Sequence, residues 1–145
     1  MEPTDSFPPW FREIDHTADI GIKVVADDLP TLFERAAWGT FAMLTDVRTV
    51  EPQEARTVEV EGEDRADLMV NWLSELNFLH ITQHVLFSQF EIESMSDTHL
   101  TATVRGERVD RDRHPIYTEI KAITYHGLEI IEEDDAWRVQ VIYDM

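Results

Sequence analysis

Residues 13–44 read EIDHTADIGIKVVADDLPTLFERAAWGTFAML, and two periodicities meet in this stretch. Polar and apolar residues alternate from position 13 to 26, as in a strand with one buried face. The apolar side carries Ile14, His16, Ala18, Ile20, Ile22 and Val24, and the polar side carries Asp15, Thr17, Asp19, Gly21 and Lys23. We therefore predict a first strand over 13–26, with His16 as a hydrogen-bonded core histidine.

A helical pattern follows that strand at once. Asp28 is suited to cap a helix N-terminus, and Pro30 is tolerated in a first turn. Apolar residues then recur at helical spacing, at Leu32, Phe33, Ala36, Ala37, Phe41 and Leu44. The pattern predicts a helix that stops near Thr45–Asp46.

The remaining chain adds one more helix and several short strands. Asp64 begins the second helix, and strands are predicted over 54–62, 85–92, 99–109, 118–131 and 137–143. The order β-α-β-α-β-β-β-β is typical of an α+β, two-layer single domain, with a mostly antiparallel or mixed sheet and two covering helices. We predict an N-terminal arm over 1–12, which is rich in proline, and one domain over 13–145.

Composition limits the classes of function. The 145 residues contain no cysteine, so disulfides, zinc ribbons and thiol nucleophiles are excluded. No apolar run is long enough for a membrane span and the N-terminus lacks a secretory pattern, so we expect a cytoplasmic protein. The net charge of −18 disfavours direct nucleic-acid binding, and no basic stripe with interleaved aromatics suggests it. Only two of the twelve basic residues are lysines, which suits either a salt-rich cytoplasm or an ordinary acidic protein.

For three clusters of charged or histidine residues, an ordinary structural role is favoured over a binding role. His80 and His84 have zinc-motif spacing without the glutamate that the motif needs, so helix-end histidines are favoured over a metal role. Residues 110–113 (DRDR) are typical of a solvated loop, with partner binding as the alternative. The acidic run 132–135 predicts a hairpin turn, with a loose cation site as the alternative.

Carboxylates near the two ends of the sheet form a further candidate site. If the first and last strands are neighbours, Asp19, Asp144 and the terminal carboxylate of Met145 converge. Three anions together repel one another unless a cation lies among them. Oxygen ligands without sulfur select Ca²⁺, Mg²⁺ or Mn²⁺. By spacing alone, an Asp that caps a turn at a strand edge remains the alternative.

Several segments, taken together, resemble the archease family. They occur in family order and cover most of the chain: DHTADIGIKV at 15–24, LPTLFERAAWGTFAML at 29–44, LMVNWLSELNFLHITQHVLFSQFEI at 68–92, EIKAITYHGLEI at 119–130 and WRVQVIYDM at 137–145. Together, the motifs DHTADIG and KAITYH are specific for this family.

The resemblance implies a non-catalytic, metal-binding cofactor protein. Its expected partner is the GTP-dependent tRNA-splicing RNA ligase, whose guanylylation and multiple turnover it promotes. The family's metal site corresponds to Asp19, Asp144 and Met145, with calcium as the expected ion. The lysine of KAITYH corresponds to Lys121, which is expected either to contact the ligase or its nucleotide or to pair with acidic neighbours. His126 also falls within a matched motif.

Two other functions remain to be weighed against ligase activation. One is a chaperone-like modulator of RNA-modifying enzymes such as a tRNA methyltransferase, for which a holdase assay is discriminating. The other is a hydrolase, for which the sequence offers no nucleophile, positioned base or pocket signature.

Overall fold

The computed structural model describes residues 7–15 and 20–145. Two helices and eight strands make up this part of the chain. The strands are β1 Phe11–Asp15, β2 Ile20–Ala26, β3 Glu54–Glu61, β4 Val85–Met95, β5 His99–Arg108, β6 Ala122–Ile123, β7 Ile130–Glu133 and β8 Ala136–Asp144. The helices are α1 Leu29–Leu44 and α2 Arg65–Gln83, and a short 3₁₀ helix covers Val47–Thr49.

The strands divide between two sheets. A five-stranded sheet has the order β1-β2-β8-β6, with β7 also paired to β8, and a three-stranded sheet has the order β3-β5-β4. Every pairing among these strands is antiparallel. The α+β class with two helices is thus confirmed, and the strands form two antiparallel sheets where one was expected.

Helix α1 lies at the centre of the molecule. It contacts β2 and β8 of one sheet and β4 of the other, and nine of its 16 residues are buried. As predicted, Asp28 caps the helix, because its carboxylate accepts a hydrogen bond of 2.8 Å from the backbone N–H of Thr31. Helix α2 packs against α1 and the three-stranded sheet, and its fully buried Trp72 donates its indole N–H to the carbonyl of Phe33.

The single strand predicted over 13–26 is wrong. Residues on either side of the undescribed stretch 16–19 belong to two antiparallel strands, and Asp15 pairs with Ile20. Alternation alone does not reveal this division, because the period of two is the same on both arms of an antiparallel pair.

The predicted strand over 118–131 is also wrong, since only residues 122–123 and 130–131 of it pair with β8. Between β6 and β7 the chain makes a turn in which the N–H of Leu128 bonds to the carbonyl of Tyr125. Gly127 has φ +63°, a left-handed conformation that glycine adopts without strain and that is incompatible with a continuous strand.

Residues 7–12 of the predicted arm pack on the domain. Strand β1 begins at Phe11, which is buried against Phe7 and Trp38 with edge-on ring contacts at 4.9 and 5.4 Å. Trp10 meets the Trp38 ring edge-on at 5.3 Å. Residues 1–6 lie outside the described residues.

Candidate functional site

The C-terminal end of β8 is the meeting point of three chain segments. Tyr143 pairs with Ile20 at the start of β2, and Asp144 pairs with Ala122 of β6 on the other side. The backbone N–H of Lys121 donates to the carbonyl of Asp144 at 2.8 Å. Asp144 is exposed, so its carboxylate is available to a ligand.

The structure brings together three of the four predicted site residues. Lys121 is exposed and hydrogen-bonded through its backbone to Asp144, and Met145 follows directly, half-buried against the core. Asp19 lies outside the described residues. Within residues 7–15 and 20–145, no three acidic or histidine side chains come together in a way that could hold a metal ion.

A buried hydrogen bond holds the end of β8 against α1. The Tyr143 hydroxyl lies 2.8 Å from Thr40 Oγ1, which itself donates to the carbonyl of Ala36. Thr40 has only one proton, so the Tyr143 hydroxyl is the donor to it. Burial raises the pKa of Tyr143 far above its ordinary value, so the phenol stays neutral. The position of Asp144 is therefore set by a rigid neighbour.

The loop of the KAITYH motif reaches the start of α2. The Tyr125 side chain is 59 % exposed, yet its hydroxyl donates to Asp67 at 2.5 Å. That hydrogen bond, together with one from the backbone N–H of Glu63, lowers the pKa of Asp67. Residues 58 positions apart make this contact, so no local sequence pattern indicates it.

The two histidines of α2 lie at the helix end, as predicted. His84 occupies the left-handed C-cap position with φ 55°. His80 Nδ1 bonds to the carbonyl of Val85 at 2.9 Å, and burial lowers the pKa of His80. Both line a cleft of about 490 Å³ together with Arg111 and Glu119.

The loop after β5 is more ordered than its charges suggested. Glu107 is buried and accepts hydrogen bonds from His114 Nε2 at 2.9 Å, Arg113 at 2.6 Å and the backbone N–H of Glu51 at 2.8 Å. Burial would raise the pKa of Glu107, but these hydrogen bonds hold it at about 2. Asp110 also engages Arg113, at 3.3 Å. This cluster was not predicted, because Glu107 and His114 stand in a strongly charged stretch that gives no signal of burial.

The acidic run 132–135 forms the predicted hairpin turn between β7 and β8. Its residues are exposed, and Asp134 and Asp135 have φ of 55° and 62°. Two successive left-handed residues are the geometry of a tight hairpin turn, which Asp tolerates better than most residues.

Comparison with known proteins decides the family. The model of the Archease protein family (MTH1598/TM1083) matches residues 11–145. The chain belongs to the archease family. Archease proteins from Methanopyrus kandleri and Methanothermobacter thermautotrophicus are 39 % and 41 % identical to it, over 94 % and 93 % of this chain and 99 % and 98 % of theirs.

Solved archease structures share the fold. The solution structure of Methanobacterium thermoautotrophicum protein 1598 is 38 % identical, with a TM-score of 0.76, and covers 94 % of this chain and 99 % of its own. A crystal structure of a Thermotoga maritima archease, described as a possible chaperone, is 22 % identical with a TM-score of 0.60, covering 92 % and 96 %. At that identity the likeness shows the fold alone.

In the part of the chain that the structure describes, neither helix is long and apolar enough to cross a membrane.

Proposed function

We propose that this archease is a non-catalytic, metal-binding cofactor protein that activates the GTP-dependent tRNA-splicing RNA ligase. It promotes formation of the ligase–guanylate intermediate and repeated turnover. Membership of the family supports this function. The observation that carries it is the convergence of Lys121, Asp144 and the start of β2 at one exposed sheet end. The strongly acidic chain suits a basic, RNA-binding partner.

The metal ligands in this proposal are Asp19, Asp144 and a main-chain oxygen of Met145. Two observations support these ligands: the chemistry of the donor atoms and the pairing of β2 with β8. Every donor is a hard oxygen, which suits Ca²⁺ and allows Mg²⁺ or Mn²⁺. Ile20, the residue after Asp19, pairs with Tyr143, the residue before Asp144. When bound, the cation would neutralise the carboxylates and present a positive charge to the partner.

Lys121 is the proposed contact to the ligase or its nucleotide. Its side chain is exposed, and within the described residues it forms no ion pair, while its backbone is fixed to Asp144. A fixed backbone with an exposed side chain suits a group that reaches across an interface.

Ligase guanylylation measured with labelled GTP tests the proposal. Asp144→Asn and Asp19→Asn should abolish stimulation and weaken Ca²⁺ binding measured by calorimetry, whereas Lys121→Gln should reduce stimulation and leave Ca²⁺ binding intact. Asp135→Asn is the matched control, because it removes one carboxylate from the hairpin turn, where Asn tolerates the positive φ. Full stimulation by the Asp19 and Asp144 variants would contradict the proposal.

A second candidate is a chaperone-like modulator of RNA-modifying enzymes such as a tRNA methyltransferase. The description of the Thermotoga maritima protein favours it. Light scattering of a heated methyltransferase separates the two functions: a holdase should suppress scattering equally well with Asp144→Asn, since the carboxylate site plays no part in shielding apolar surface.

A further inference from the structure

The outer face of the five-stranded sheet carries a cluster of basic residues. Residues of β1, β2 and β8 that point toward α1 are buried and apolar, among them Phe11, Val24 and Val139, which lie in one row. The next row, Arg12–Lys23–Gln140, points the opposite way because successive side chains alternate between faces. Arg138, two residues from Gln140, shares that outer face.

These residues line a pocket of about 600 Å³. Strands β1, β2 and β8 form its floor. One wall consists of Gly127, Glu129 and Ile131, the segment where the expected edge strand is interrupted. Trp10 lines the opposite side, so the pocket combines a cationic floor with walls that are apolar except for the carboxylate of Glu129. A volume of 300–1,000 Å³ is that of small-molecule sites.

Side chains of α1 hold the Trp10 ring in place. The Arg35 guanidinium lies 4.8 Å from the centroid of the Trp10 ring, and the same guanidinium donates to the carbonyl of Val25. Trp38 packs edge-on against the ring. A pre-positioned aromatic wall lowers the entropy lost when a ligand packs on it.

Among the residues that line the pocket, positive charges outnumber negative charges. The chain has 30 acidic and only 12 basic residues, yet three of the basic ones line this pocket. Arg12 and Lys23 are directly opposite on paired strands, and Arg138 is diagonal to Lys23. None of the three forms an ion pair within residues 7–15 and 20–145, although Glu129 lines the same pocket.

Directly opposed like charges destabilise a sheet. Their placement here therefore lowers the stability of the free protein, and an anion bound between them would relieve the repulsion. Proteins tend to keep a local loss of stability of this kind where the residues serve to bind a ligand.

We propose that this pocket binds a small phosphorylated ligand of the size of a mononucleotide, whose phosphate lies among Arg12, Lys23 and Arg138 and whose ring packs toward Trp10. A small ligand fits better than a nucleic-acid strand, because the net charge of −18 repels a polyanion while the local cations attract a single phosphate. This site is separate from the end of β8, and it does not depend on ligase activation.

Calorimetric titration of the full chain with AMP and GMP at low salt tests the proposal. Lys23→Gln and Arg138→Gln should each weaken binding of a mononucleotide about tenfold or more, since each removes a charged phosphate contact. Arg105→Gln, on β5 of the other sheet, is the matched control and should change affinity less than about twofold. Adenosine, which lacks the phosphate, should bind at least about tenfold more weakly than AMP.

A stability measurement separates a binding role from a merely structural one. In the absence of nucleotide, Lys23→Gln should raise the melting temperature by roughly 1–4 °C, because it removes the repulsion by Arg12. AMP should raise the melting temperature of the wild type more than that of the variant.

Several outcomes would overturn the proposal. They are no binding of AMP or GMP at millimolar concentration, equal losses in Arg105→Gln, equal affinity for adenosine, and binding of an RNA oligomer without binding of either mononucleotide. A lower melting temperature in Lys23→Gln would also count against it, by assigning the lysine a stabilising role.

Discussion

Replacing the buried Glu107 by glutamine should destabilise the fold by about 3 kcal/mol at neutral pH. The carboxylate joins three chain segments through its bonds to His114, Arg113 and Glu51. These bonds lower its pKa from the ordinary 4.5 to about 2, which corresponds to about 3 kcal/mol of preference for the charged form in the folded state. Glutamine presents an N–H₂ group to at least one of the three donors, so at least one bond is lost.

The pH dependence gives the sharper test. The pKa of Glu107 is lower in the folded than in the unfolded protein, so its stabilisation is complete above about pH 4.5 and is lost as the pH falls toward 2. The difference in unfolding free energy between wild type and Glu107→Gln should therefore shrink from about 3 kcal/mol at pH 7 to about 1 kcal/mol at pH 3.

Urea unfolding at a series of pH values measures this difference, and urea adds no ions that would screen the charges. Glu93→Gln is the control. Glu93 is exposed and accepts a single hydrogen bond from Thr103 at 3.0 Å, so its replacement should change the unfolding free energy by less than about 0.5 kcal/mol at any pH. A loss of less than about 1 kcal/mol in Glu107→Gln at pH 7, or an equal loss at pH 7 and pH 3, would refute this role of the carboxylate.

Three further substitutions test the core and the helix cap, each by urea unfolding. Tyr143→Phe should lose about 1 kcal/mol, because Thr40 keeps its bond to the helix carbonyl; a loss above about 3 kcal/mol would contradict that assignment. Gly106→Ala should unfold the protein or leave it insoluble, since a Cβ there would lie within 2 Å of the Leu86 carbonyl oxygen, and a well-folded variant would contradict the close approach. Asp28→Ala should lose about 1 kcal/mol with its N-cap bond, and an unchanged midpoint would show that the cap contributes nothing.

The two helices could be predicted from the sequence because their signals are local. The spacing of Leu32, Phe33, Ala36 and Phe41 and the cap at Asp28 lie within one segment, and the structure reproduces them. The period of two likewise located the half-solvated strands β3 and β5. Local patterns of this kind need no knowledge of what packs against them.

The pairing partners and the breaks in strands could not be predicted in this way. The alternating pattern over 118–131 shows no clear break around Tyr125–Leu128, but β8 pairs only with the segments on either side of it. The burial of Glu107 could not be predicted from the sequence for the same reason. Its hydrogen-bond donors come from residues up to 56 positions away, and only their convergence offsets the cost of burying a carboxylate.

The sequence by itself determined the α+β class, the two amphipathic helices and the family, because each depends on short motifs read in order. Only the tertiary structure decided that Lys121 and Asp144 are neighbours at the end of β8, and that Arg12, Lys23 and Arg138 share one pocket. Both arrangements depend on cross-strand register between residues more than 10 positions apart. Register is fixed by burial of one whole face of the sheet, which no single segment encodes.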